Sequence, residues 1–71
     1  MTNEFTALIE RDGKWFIAYC AEIPGANGQG RSKASAVRNL AEAISLILDQ
    51  RRREALKGLP ARAIREKVVL K

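Results

Sequence analysis

Seventy-one residues, 46% hydrophobic and 30% charged, suffice for one small domain and exclude a chain left disordered for want of apolar side chains. A single cysteine rules out an internal disulfide, the absence of histidine removes the commonest general base, and no apolar run approaches a membrane span. The net charge of +5 is lopsided: residues 1–30 hold two basic against four acidic side chains and residues 31–71 eleven against four, net −2 and +7.

The chain opens on two alternating apolar runs around Asp12-Gly13, a strong hairpin signal. A type I′ turn centred on those two residues predicts strands from about Asn3 to Arg11 and from Lys14 to Ala21, with Ile9 facing Phe16 and Glu10 facing Trp15. Directly opposed residues point the same way, so one face carries Phe5, Ala7, Ile9, Phe16, Ala18 and Cys20. The other carries Thr6, Leu8, Glu10, Trp15, Ile17 and Tyr19. A helix on the first face is favoured, because Ala7, Ala18 and Cys20 permit close approach; a helix over Trp15 and Tyr19 is the alternative. Under the favoured assignment Leu8, Trp15, Ile17 and Tyr19 form a contiguous apolar surface, the expected interface with a partner or another copy.

Pro24-Gly25 breaks the run, and Ala26 to Gly30 has the spacing of a short, Gly-rich third strand. Gly25–Ser32 nearly spells a P-loop, but Arg31 stands where the phosphate-binding lysine belongs, so an edge strand and turn are expected and no nucleotide or other cofactor. Ser32 is a candidate N-cap for a helix from Lys33 to Lys57; Ser35 stands where a capping box wants Glu or Gln, leaving the box incomplete. Ala36, Val37, Leu40, Ala43, Ile44, Ile47 and Leu48 make one apolar stripe, with Leu46 off it. Such a helix is about 37 Å long and overshoots a short sheet. After the stop signal of Gly58 and Pro60, Ala63–Leu70 reads as a final strand, with Ile64, Val68 and Leu70 on one side and Glu66 the exception.

Catalysis is not expected. Glu10, Asp12 and Glu22 are the only carboxylates near the sheet, and they do not assemble the converging cluster that a two-metal nuclease needs. Cys20, within an alternating strand, reads as a small buried apolar residue. Arg51, Arg52 and Arg53 are the densest charge, but consecutive helical residues spread over about 200° and cannot grip one phosphate row. With Lys57, Arg62, Arg65 and Lys67 they make a basic patch, and a nucleic-acid-binding accessory protein is the second reading. A core this small favours self-association, as a dimer or tetramer. With no stretch resembling a signal peptide, the expected setting is the cytoplasm, away from the membrane.

The run Trp15-Phe16-Ile17-Ala18-Tyr19-Cys20-Ala21-Glu22-Ile23-Pro24-Gly25 resembles the aromatic–hydrophobic–A-Y-C-P-E-L-P-G signature of HicB-like antitoxins. Gln29-Gly30, Ser32 and Ala36-Val37-Arg38-Asn39-Leu40-Ala41-Glu42-Ala43-Ile44 are similar to that family's S-Q-G-x-T…A-L-x-N-L-x-E-A-I segment. The likeness runs ungapped over roughly residues 5–48. It implies a partial RNase H-like α+β fold, β-β-β-α-β, without nuclease carboxylates, and it is the main support for the third strand. It also implies a last strand beside the first and a partner, a small HicA-type mRNA interferase toxin. Residues after Leu48 leave no room for the family's C-terminal DNA-binding module, so residues 1–71 are expected to be a solo domain that sequesters the toxin without operator binding.

Overall fold

The computed structural model describes residues 4–70; Asn3, the expected start of the first strand, lies outside them. Strands β1 (Ala7–Asp12), β2 (Trp15–Cys20) and β3 (Asn27–Gly30) form an antiparallel sheet in the order β1-β2-β3, followed by one helix, α1 (Lys33–Leu56). The fold is α+β, with the helix on one face of the sheet.

The hairpin differs from the expected register by two residues. Asp12 pairs with Trp15 and Ile9 with Ala18, so the loop is Gly13-Lys14. Gly13 has φ +61, and no other residue type among those described has positive φ. A turn with positive φ at its first central residue alone is of the II′ kind, whereas I′ would force Asp12 or Lys14 into the left-handed region. Because pairing moved by two, an even number, each side chain keeps the face the sequence assigned it.

Helix α1 covers the face of Ala18 and Cys20. Ala18, Cys20, Ile23 and Ala26 from the sheet side and Ala36, Leu40 and Ile44 from α1 form the buried core, with Ala7, Phe16 and Ile47 packed at its margin. What draws α1 down is β3. Gly28 and Gly30 face it, and a Cβ at Gly28 would collide with the Leu40 amide nitrogen and stand 2.7 Å from the Ala36 carbonyl oxygen. The glycines that made β3 look weak are the seat of the helix. The Asn39 amide group donates to the Gln29 carbonyl at 2.7 Å and so occupies one polar group of β3. Seated there, α1 leaves Phe5 and Ile9 half-exposed on the β1 side.

The helix start closes better than expected. The Ser32 hydroxyl accepts from the Ser35 amide at 3.1 Å, and the Ser35 hydroxyl accepts from the Ser32 amide at 3.1 Å, completing a capping box without Glu or Gln. Gly30 explains the small residue: a Cβ there would collide with the Ser35 hydroxyl, so this corner is packed too closely for a longer side chain. Ser32→Ala should lower stability by about 1 kcal/mol in urea unfolding, because it frees an amide that the first turn otherwise satisfies.

At the other end α1 overshoots, as its length predicted. From Asp49 onward every helical residue is exposed, about 12 Å of helix beyond the packed turns. Arg53 pairs with Asp49 at 2.7 Å and Lys57 with Glu54 at 3.1 Å, surface pairs that hold these turns in shape. The expected final strand is not formed. Residues 63–70 are exposed and outside the sheet, with Ile64 and Val68 each 85% accessible. Strand propensity at Val68-Val69 does not by itself make a strand; a partner edge must lie alongside, and α1 delivers the tail beyond the sheet.

Candidate binding face

The face of the sheet opposite α1 is built from three cross-strand rows. Observed pairings place Leu8 beside Tyr19 and Tyr19 beside Asn27, then Glu10, Ile17 and Gln29 abreast. The same registers continue to Asp12, Trp15 and Arg31. Leu8, Trp15, Ile17 and Tyr19 are therefore brought together on one surface; Trp15 is 43% and Leu8 53% accessible, while Ile17 is partly buried between its neighbours. An aromatic and aliphatic column runs down the centre, with Glu10 and Asp12 on one flank and Asn27, Gln29 and Arg31 on the other. That is the anatomy of an interface, an apolar middle with a polar rim.

Arg31 is the member sequence reasoning missed. Its guanidinium lies over the Trp15 ring, 5.3 Å from the ring centre, within the range of a cation–π contact. Only the β2–β3 register reveals this, since the two residues are distant in sequence. Arg11, on the helix side, similarly covers Phe16 at 5.7 Å.

Of the three carboxylates weighed for chemistry, Glu10 and Asp12 sit on the rim and Glu22 is a structural clasp. The Thr6 amide and hydroxyl donate to the two Glu22 carboxylate oxygens at 2.7 Å each, and the Cys20 thiol donates at 3.5 Å. The Ala21 amide donates back to the Thr6 carbonyl at 3.0 Å. The Thr6 amide first, then its hydroxyl, hold the Glu22 carboxyl down from its ordinary 4.5 to about 2. A carboxyl depressed in the folded state adds stability above its unfolded pKa. That stability is lost as pH falls from about 4.5 towards about 2. The stability difference between wild type and Glu22→Gln should therefore shrink across that interval in paired urea titrations. The clasp needs Thr6 paired with Ala21, next to Glu22, and only the observed register supplies that pairing.

No three His, Cys, Asp or Glu side chains among the described residues come together as a metal site. The P-loop-like run is spent on packing: Gly25 turns with φ +92, and Gly28 and Gly30 lie under α1. Arg51, Arg52 and Arg53 stand exposed on the projecting end of α1, with Arg53 engaged by Asp49 and Arg52 bordering a groove between α1 and β1. Among the described residues no helix is long and apolar enough to cross a membrane.

No family model matches the chain, and no solved structure matches it. It is 46% identical over 72 residues to UPF0150 protein ssl0738 of Synechocystis sp. (strain ATCC 27184 / PCC 6803 / Kazusa), covering 99% of each chain. With that identity from end to end, the chain belongs to the UPF0150 family.

Proposed function

We propose that this chain is a non-catalytic, HicB-like antitoxin domain of a type II toxin–antitoxin pair. It acts in the cytoplasm and sequesters a HicA-type mRNA interferase by covering its RNA-binding or catalytic surface. The observation that carries the reading is the outer face: Leu8, Trp15 and Tyr19 stand accessible around a partly buried Ile17, rimmed by polar side chains, on a sheet whose other side is already occupied by α1. Exposed aromatics on a rigid sheet are the residues that anchor interfaces. The chain's basic excess lies elsewhere, since this face carries Glu10 and Asp12 against Arg31. The signature resemblance over residues 5–48 supplies the partner class.

Co-expression with a HicA-type interferase, followed by mass determination of the purified material, tests it. A joint complex and relief of toxicity are expected; separate elution with toxicity undiminished would remove the reading. A nucleic-acid-binding role rests on the exposed Arg51, Arg52 and Arg53 at the projecting end of α1. It requires a mobility shift that weakens steeply with salt and is reduced by Arg52→Ala.

A further inference from the structure

Two unsatisfied features of the fold match each other. The first is the outer edge of β1. Ala21 donates to Thr6, so in the antiparallel alternation Thr6, Leu8, Glu10 and Asp12 bond toward β2 while Ala7, Ile9 and Arg11 turn their N–H and C=O groups outward. Below that edge an open groove of about 530 Å³ is lined by Phe5, Ala7, Val37, Leu40, Ile44 and Leu48, among others. Val37 and Leu48, on the apolar stripe of α1, are left 38% and 37% accessible there. The second is the tail, where Ile64, Val68, Val69 and Leu70 are 61–85% accessible.

We propose that residues 63–70 of a second copy of this chain add antiparallel to the outer edge of β1, and that the exchange is reciprocal, giving a dimer with two seated tails. Setting Val68 opposite Ile9 puts Leu70 opposite Ala7, Val69 opposite Leu8, Lys67 opposite Glu10, Glu66 opposite Arg11 and Arg65 opposite Asp12. Six consecutive pairs match apolar with apolar and each charge with its opposite, the pattern that stabilises neighbouring strands. Sliding by two residues sets Glu66 against Ile9, or Arg11 against Val68. In the matched register Val68 and Leu70 point into the groove under α1, and Glu66, the odd charge on that side of the tail, finds Arg11.

Direction identifies the donor. Ser35 lies against Gly30 and Leu40 against Gly28, so α1 runs back along β3. A strand returning directly from α1 would then run parallel to β3, and β3 is parallel to β1 because both are antiparallel to β2. The chain's own tail thus arrives parallel. There, keeping Val69 beside Leu8 puts Glu66 against Phe5 and leaves Arg11 and Asp12 without partners, whereas matching the charges, with Arg65 beside Glu10 and Glu66 beside Arg11, carries Val68, Val69 and Leu70 past the end of β1 and off the groove. The register that pairs the charges and also seats Val68 and Leu70 is antiparallel, which another copy supplies. The described residues span 54 Å on their longest axis, against roughly 36 Å for α1 alone. The seated tail leaves Trp15 and Tyr19 uncovered, so the inference specifies the self-association without depending on the toxin.

Solution mass across a dilution series of the full chain tests the proposal. The wild type should have the mass of two chains, and Val68→Pro, in a segment that contributes nothing to the core, should have the mass of one. Glu10→Lys and Lys67→Glu, both on exposed side chains, should each weaken the dimer about tenfold by facing like charges. Mixing these two variants should restore it, because positions 10 and 67 then carry opposite charges at both tail contacts of the mixed dimer, whereas a tail seated on its own chain would stay mismatched. A wild type with the mass of one chain, a dimer that survives Val68→Pro, or a mixture no tighter than its components would each overturn the exchange. Trp15→Ala/Tyr19→Ala should leave the dimer intact, so failure of toxin binding and failure of tail exchange are read separately.

Discussion

Gly28→Ala should remove most of the stability of this domain, about 3 kcal/mol by urea unfolding, against the roughly 3–5 kcal/mol that a core of this size supplies. The added methyl group would meet main-chain atoms of α1, the Leu40 amide nitrogen and the Ala36 carbonyl oxygen, which cannot rotate aside as a side chain would. Relief requires α1 to lift off β3, and lifting it uncovers Ala18, Ala36 and Leu40 together, which are 0–3% accessible. Gly13→Ala is the control. Gly13 has φ +61 and nothing within 4 Å of its would-be Cβ, so its loss is the left-handed backbone strain alone, about 1–2 kcal/mol. Equal midpoints for the Gly28 and Gly13 variants would mean that α1 is not seated on β3 as described.

On the proposed antitoxin reading, Trp15→Ala combined with Tyr19→Ala should weaken toxin binding by at least about a hundredfold, since aromatic anchors at the centre of an interface each contribute about 2 kcal/mol or more. The thermal midpoint should barely move. Both rings are about 40% accessible and lie on the side of the sheet away from α1, so their removal opens no cavity in the core. Trp15, the only tryptophan, is also the reporter: its emission should shift to the blue when the partner covers it. Arg31→Ala should give a smaller loss, because it removes the cation over the indole and leaves the ring itself in place. If the double variant binds as tightly as the wild type, the outer face is not the binding surface.

The sequence alone determined the hairpin, the two faces of its strands, the N-cap at Ser32, the apolar stripe of α1 and the overshoot of its last turns. These follow from local rules, alternation along a strand, the 3.6-residue helical repeat and the conformations glycine and serine favour, all of which act within a few residues. The partition into faces outlasted an error in register because a two-residue slip preserves the direction of each side chain. Tertiary structure decided what depends on neighbours distant in the chain. Gly28 and Gly30 proved to be a landing for helix backbone, Glu22 a clasp on Thr6, and Arg31 a lid on Trp15. The tail shows the same division: Val68-Val69 carries the chemistry of a strand, but whether it becomes one depends on an edge beside it. Residues 63–70 carry no information about where α1 sets them down.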